Sequence, residues 1–180
     1  MNRLLLSTIV LTLALPSFAE ETEMVHPSTK NWSVGISSYA LIVSSDNYGD
    51  DDFSGVAFSG NHFISDNVGF RFELYVLEHD SFSEIEVTGF DLLAHYGSGL
   101  RSVGFKWYIG GGLYSETMEI GSFEEDFSGA QINGGIGYNW DSVGLDLSLG
   151  LRTTSDYEDL AENGDDLTAT TASLALSYRF

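Results

Sequence analysis

The segment that ends the sequence, Thr170–Phe180 (TTASLALSYRF), alternates without a break. Ala172, Leu174, Leu176, Tyr178 and Phe180 take every second position, with Thr171, Ser173, Ala175, Ser177 and Arg179 between them. Period-2 alternation makes a strand with one apolar and one polar face. Left unpaired, such a strand offers an open edge that recruits other chains. A closed barrel removes that edge by pairing the last strand with the first. The rest of the chain must therefore supply the other strands of a barrel.

Before those strands comes MNRLLLSTIVLTLALPSFAE. Arg3, the apolar run Leu4–Leu15 and the small-x-small pattern Ser17-Phe18-Ala19 read as a secretory signal peptide over 1–19. The run is too short to span a membrane as a helix. A leader over 20–30 and one barrel domain over 31–180 follow. The chain has no cysteine, which excludes a lipid-anchored lipoprotein and any disulfide. Gly is abundant at 20 residues and Pro scarce at 2, as long strands with tight turns require. A net charge of −20 with only 7 Lys+Arg argues against nucleic acid and against direct grip on anionic lipid.

Seven more alternating segments precede the last. They span about 31–44, 53–64, from 68, up to 97, 104–117, 127–140 and from 143. Two places break the pattern. In strand 1, Tyr39, Leu41 and Val43 compete with Ala40 and Ile42 for the apolar face, and a bulge could reverse the faces. In strand 4, Ile85 and Val87 have the opposite parity to Phe90, so either a bulge lies near Gly89 or the strand top projects beyond the apolar zone.

Alternation alone leaves open which face is inside. Three features favour apolar-outward. The polar face is rich in Gly, Ser, Ala and Asn, suiting a narrow interior rather than a water-facing exterior. Trp32, Tyr96, Trp107, Tyr138, Trp140, Tyr178 and Phe180 lie at strand ends, where an interfacial girdle belongs. Longer and shorter connections alternate, and the windows 46–52, 78–84, 116–126 and 156–166 around the longer ones hold 18 acidic residues and no Lys or Arg. The expected fold is an all-β, eight-stranded, antiparallel up-and-down transmembrane barrel.

Ser177-Tyr178-Arg179-Phe180, Trp107–Tyr114 (WYIGGGLY) and Ser65–Phe70 (SDNVGF) resemble the small outer-membrane barrels of Gram-negative bacteria. The relatives meant are the OmpA membrane domain, OmpX and OmpW. The resemblance implies export to the outer membrane, lipid and lipopolysaccharide as surroundings, and a monomer. It also implies that Tyr178 and Phe180 serve as the signal read by the barrel-assembly machinery.

The charges expected inside are Arg71, Glu73, Asp91, His95, Lys106, Asp146, Arg152 and Arg179. Buried charges need partners, and eight strands leave room for little beyond side chains. A plugging ion-pair network, with Arg71 and Asp91 at similar depth, is expected ahead of a narrow channel for small or apolar solutes. A lipid A-modifying enzyme is the third reading. No catalytic residue, cofactor site or dedicated metal site is assigned. His62 is expected at a strand end and His79 in solvent; His62 is followed by Phe63-Ile64, His79 by Asp80-Ser81 in a loop and His95 by Tyr96-Gly97, and none reproduces the His–Ser arrangement of a lipid A deacylase. Asp50-Asp51-Asp52 and Asn163-Gly164-Asp165-Asp166 are the best places for loosely held divalent cations, without a full calcium-loop spacing.

Overall fold

The closing strand β8 (Leu167–Arg179) pairs antiparallel with β1 (Trp32–Ser45), from Ser33 opposite Arg179 to Ser45 opposite Leu167. Reciprocal backbone bonds between Trp32 and Phe180, 3.1 and 2.9 Å, fasten the foot of the seam. Between them run β2 (Gly49–Phe63), β3 (Val68–His79), β4 (Ile85–Ser98), β5 (Gly104–Ile120), β6 (Phe123–Asn139) and β7 (Val143–Arg152). Together they make a closed antiparallel barrel in sequence order. This computed structural model describes residues 30–45, 49–82, 84–154 and 167–180. The signal peptide, most of the leader and the Asn163–Asp166 cation candidate lie outside the described residues.

The strands are longer at one end than alternation suggested. Asp50–Asp52 are part of β2, opposite Ile42–Ser44. Glu119, Glu124, Glu125 and Asp126 belong to the β5–β6 ladder, which closes through Gly121-Ser122. Gly121 has φ 64°, a left-handed conformation that suits glycine in a tight turn. The described parts of the windows 46–52 and 116–126 are thus largely strand.

No bulge interrupts β1 or β4. Their registers with β2, β3 and β5 run unbroken, so Tyr39 and Leu41 point inward with Ser33 and Ser37, and Val87 points inward with Asp91. The parity conflict has a different cause: the barrel exchanges its faces along its height. Toward the short turns the interior is polar and the exterior apolar, with Phe58 60% and Leu74 49% exposed. Toward the loops, Tyr39, Leu41, Phe53, Tyr75, Leu77, Val87, Tyr114 and Phe127 fill the interior. There the outward positions carry Asp52, Glu78, Glu86, Glu119, Glu124 and Asp126. On β3 the outward apolar run is Val68–Val76, close to the ~9–11 residues a tilted membrane strand needs.

The seven strand-end aromatics gather at the turn end as one girdle. Within it Trp32 lies 4.1 Å from His62 and Tyr138 lies 4.9 Å from Trp140, centroid to centroid.

Candidate functional site

The interior charges form two layers. The upper layer is centred on Arg152, the last residue of β7. Its Nη1 lies 2.7 Å from Glu116 Oε2 and its Nη2 lies 2.7 Å from Asp91 Oδ1. The tyrosines complete the shell: Tyr39 donates to Asp91 at 2.9 Å and Tyr75 donates to Glu116 at 2.7 Å. Their rings stack at 4.9 Å, and the Arg152 guanidinium sits 4.5 Å from the Tyr114 centroid. Glu73 stands opposite Asp91 in the ladder and accepts a bond from the Ser37 hydroxyl at 3.2 Å.

The lower layer is centred on Asp146. Lys106 Nζ approaches it to 2.7 Å and Arg71 Nη2 to 3.8 Å. Arg71 Nε also donates to Asn61 at 2.8 Å, and its guanidinium lies 5.6 Å from the Tyr108 centroid. His95 stacks on that same ring at 4.4 Å, with its Nε2 3.1 Å from the Asn133 amide. Arg179 lies lowest and donates to the backbone carbonyls of Trp140 and Arg101.

The eight residues singled out from sequence are all buried in the lumen. The pairing differs from the expected one. Arg71 stands opposite Leu93 while Asp91 stands opposite Glu73, and Asp91 is met by Arg152 from across the barrel. Alternation gives faces, but strand stagger decides which buried charges meet. Sequence reasoning missed Glu116 by counting it with a loop. Its parity, shared with Lys106, Tyr108 and Tyr114, was the available signal.

With Glu116 included, the buried cations Arg71, Lys106, Arg152 and Arg179 equal in number the buried carboxylates Glu73, Asp91, Glu116 and Asp146. Among the described residues, two interior voids hold about 10 Å³ each, one lined by Gln131, Asn133 and Ser148 and the other by Tyr108, Asp146 and Leu100; Arg71 borders both. Each is of the size that holds a single water. Above the charges lies the apolar cluster of the loop end, and toward the turn end Phe63 and Leu100 pack against Tyr108.

The turn end is tied into a plate. Asp66, in the β2–β3 turn, accepts from the backbone of Gly99, Arg101 and Ser102 and from the Ser102 hydroxyl, the last at 2.7 Å. Partial burial alone would raise the Asp66 pKa, but these bonds outweigh it and hold the carboxyl below its usual range. Asn139 donates to the carbonyls of Gly99, Leu100 and Ser102, which fixes Leu100 under the lumen.

His79 is packed rather than solvated. It ends β3 with its side chain 8% exposed, and its Nδ1 accepts from the Ser81 and Phe82 amides at 3.0 and 3.2 Å. Adjacent aromatic surface from Phe53 and Phe82 displaces the water expected there. His62 lies near the end of β2, as its position suggested. The three described histidines outside the leader therefore occupy three separate environments: girdle, rim and lumen.

A family model described as outer membrane protein beta-barrel domain matches residues 5–180. Among solved structures, the chain is similar to Neisserial surface protein A, at 14% identity, with 83% of this chain and 97% of that one covered and a TM-score of 0.62. It is similar to Ail, the attachment invasion locus protein of Yersinia pestis, at 15% identity, 84% and 99% coverage and a TM-score of 0.57. It is also similar to OprG of Pseudomonas aeruginosa, at 11% identity, 85% and 97% coverage and a TM-score of 0.55. At these identities the three structures speak for the fold alone. Curated protein sequences give no match. The closed eight-stranded barrel, its apolar outer belt and the family match over nearly all of the sequence place this chain in the outer membrane protein β-barrel domain family.

Proposed function

We propose that this protein is a sealed outer-membrane barrel with a structural or surface-interaction role, without enzymatic activity. Residues 1–19 direct export, Tyr178 and Phe180 engage the assembly machinery, and the mature monomer sits in lipid and lipopolysaccharide. The turn end with its aromatic girdle faces the periplasm, and the acidic loop end faces outward, where loosely held divalent cations can bridge it to lipopolysaccharide phosphates.

The observation that carries this reading is the filled lumen. Arg152 bridges Asp91 and Glu116 across the barrel, apolar side chains pack above it, and Leu100 closes the foot. Ions crossing such a path would have to displace paired buried charges, which costs several kcal/mol per ion by order of magnitude. Purified folded protein in planar bilayers should give no discrete conductance steps. Reproducible steps would overturn the sealed reading in favour of a narrow channel, and release of acyl chains from lipid A would establish an enzyme instead.

The surface chemistry differs from that suggested by one relative. An Ail structure contains the heparin analogue sucrose octasulfate, a polyanion. Here the described loop-end charges are carboxylates, while Lys30 and Arg101 lie at the turn end and the other described cations are buried. A polyanion is repelled by that surface.

A further inference from the structure

The β5–β6 hairpin continues past its neighbour. The last β6–β7 pair is Gln131 with Arg152, yet β6 extends to Phe123. At this tip the two faces of the sheet differ. Glu78, Glu86, Glu119 and Glu124 stand directly opposite one another in a single cross-strand row over β3–β6. Like charges so placed repel and destabilise the strands that bear them. On the opposite face, Ile85, Ile120 and Phe123 form the next row, with Ile120 42% and Phe123 55% exposed. Further down that face the side chains are buried core; at the tip they meet water. An exposed apolar row on a water-facing extension, rimmed by unbalanced carboxylates, has the composition of an interaction surface.

We propose that this tip docks a cationic amphipathic peptide segment, whose apolar side covers Ile120 and Phe123 and whose Lys or Arg residues reach the glutamate row. The inference rests on the reading that the loop end faces outward, and it names the partner chemistry of that surface. Charge complementarity selects the partner: the carboxylates leave the tip uncompensated by any described cation nearby. An anionic or neutral segment would keep the like-charge repulsion, whereas a cationic one relieves it.

The test uses the full mature barrel in zwitterionic nanodiscs, with empty discs subtracted. The probes are a Lys/Leu peptide with its leucines on one side and a Lys/Ser peptide of equal length and charge. The Lys/Leu peptide should bind, and the Lys/Ser peptide should bind about tenfold more weakly, as expected for loss of apolar burial. Ile120→Ser with Phe123→Ser should remove that preference. Glu119→Gln with Glu124→Gln should weaken both peptides and flatten the salt dependence. Equal affinity for the two peptides on the wild-type barrel, or no binding, overturns the proposal without any variant. The folded state of each variant is read from heat-modifiable gel mobility. The conductance measurement stands apart: a conducting barrel that still prefers the Lys/Leu peptide overturns only the sealed lumen, and a silent barrel without preference overturns only the docking surface.

Discussion

The two ends of this barrel solve opposite solvation problems with the same strands. Along β3, Arg71 and Glu73 point inward while Phe72 and Leu74 point outward; a few residues later Tyr75 and Leu77 point inward while Glu78 points outward. In the first stretch the exterior solvent is hydrocarbon, so apolar side chains belong outside and the polar interior must satisfy itself. In the second the exterior is water, and the rule of soluble barrels returns. The comparison teaches that the membrane boundary is written into the strands as a change of face, with the backbone register unchanged. It also explains why the charges sit where they do. The lumen as a whole has a balanced set of buried charges, whereas the described loop-end surface carries an excess of carboxylates.

Substitutions can break or sharpen this contrast. The largest effect is expected for Arg152→Met, which leaves Asp91 and Glu116 buried without their cation; a loss of about 3–5 kcal/mol in urea unfolding is expected. Next comes Leu77→Ala, a cavity in the apolar core of the loop end, at roughly 2–5 kcal/mol. Leu74→Arg, on the lipid face of the same strand, should cost about 2–4 kcal/mol. Glu86→Lys, on the outward face beyond the boundary, should be neutral or stabilising by about 0.2–1 kcal/mol, since it breaks the glutamate row. A cost at Glu86→Lys as large as at Leu74→Arg would mean that the upper strands lie in lipid. The smallest effect concerns acid. Asp66 has a folded pKa below its unfolded value of about 3.9. Its contribution is therefore complete above that value and is lost as pH falls through the lower folded one. Asp66→Asn should flatten the pH dependence of stability below about pH 4, measured as shifts in the urea midpoint.

Much of the fold was legible before the structure. Unbroken alternation in Thr170–Phe180 and Val68–Val76 exposed both faces, and the sorting of acids distinguished the two ends. What stayed hidden follows from what alternation encodes. It reports a face but not the solvent outside it, so Tyr39, Leu41, Ile85 and Val87 looked like register faults when they marked the change of environment. It also carries no information on stagger, so it puts Arg71 and Asp91 at similar depth without revealing that Asp91 meets Arg152 of β7. Glu116 was lost for a related reason: an acidic residue near other acids reads as loop, although its parity pointed inward. Packing of His79 between Phe53 and Phe82 depends on contacts between strands that no single segment announces.

The exchange of faces can be read directly by spin labels, because the chain contains no cysteine to compete with an introduced one. Single cysteines at Phe70, Phe72, Leu74, Val76 and Glu78 would place labels along the outward face of β3 in a lipid bilayer. Oxygen accessibility should dominate from Phe70 through Val76 and give way to a water-soluble nickel complex at Glu78, while a label at Leu77 stays shielded from both. A lipid-like signal persisting at Glu78, or a label at Leu77 open to nickel, would contradict a loop end that stands in water around an apolar core.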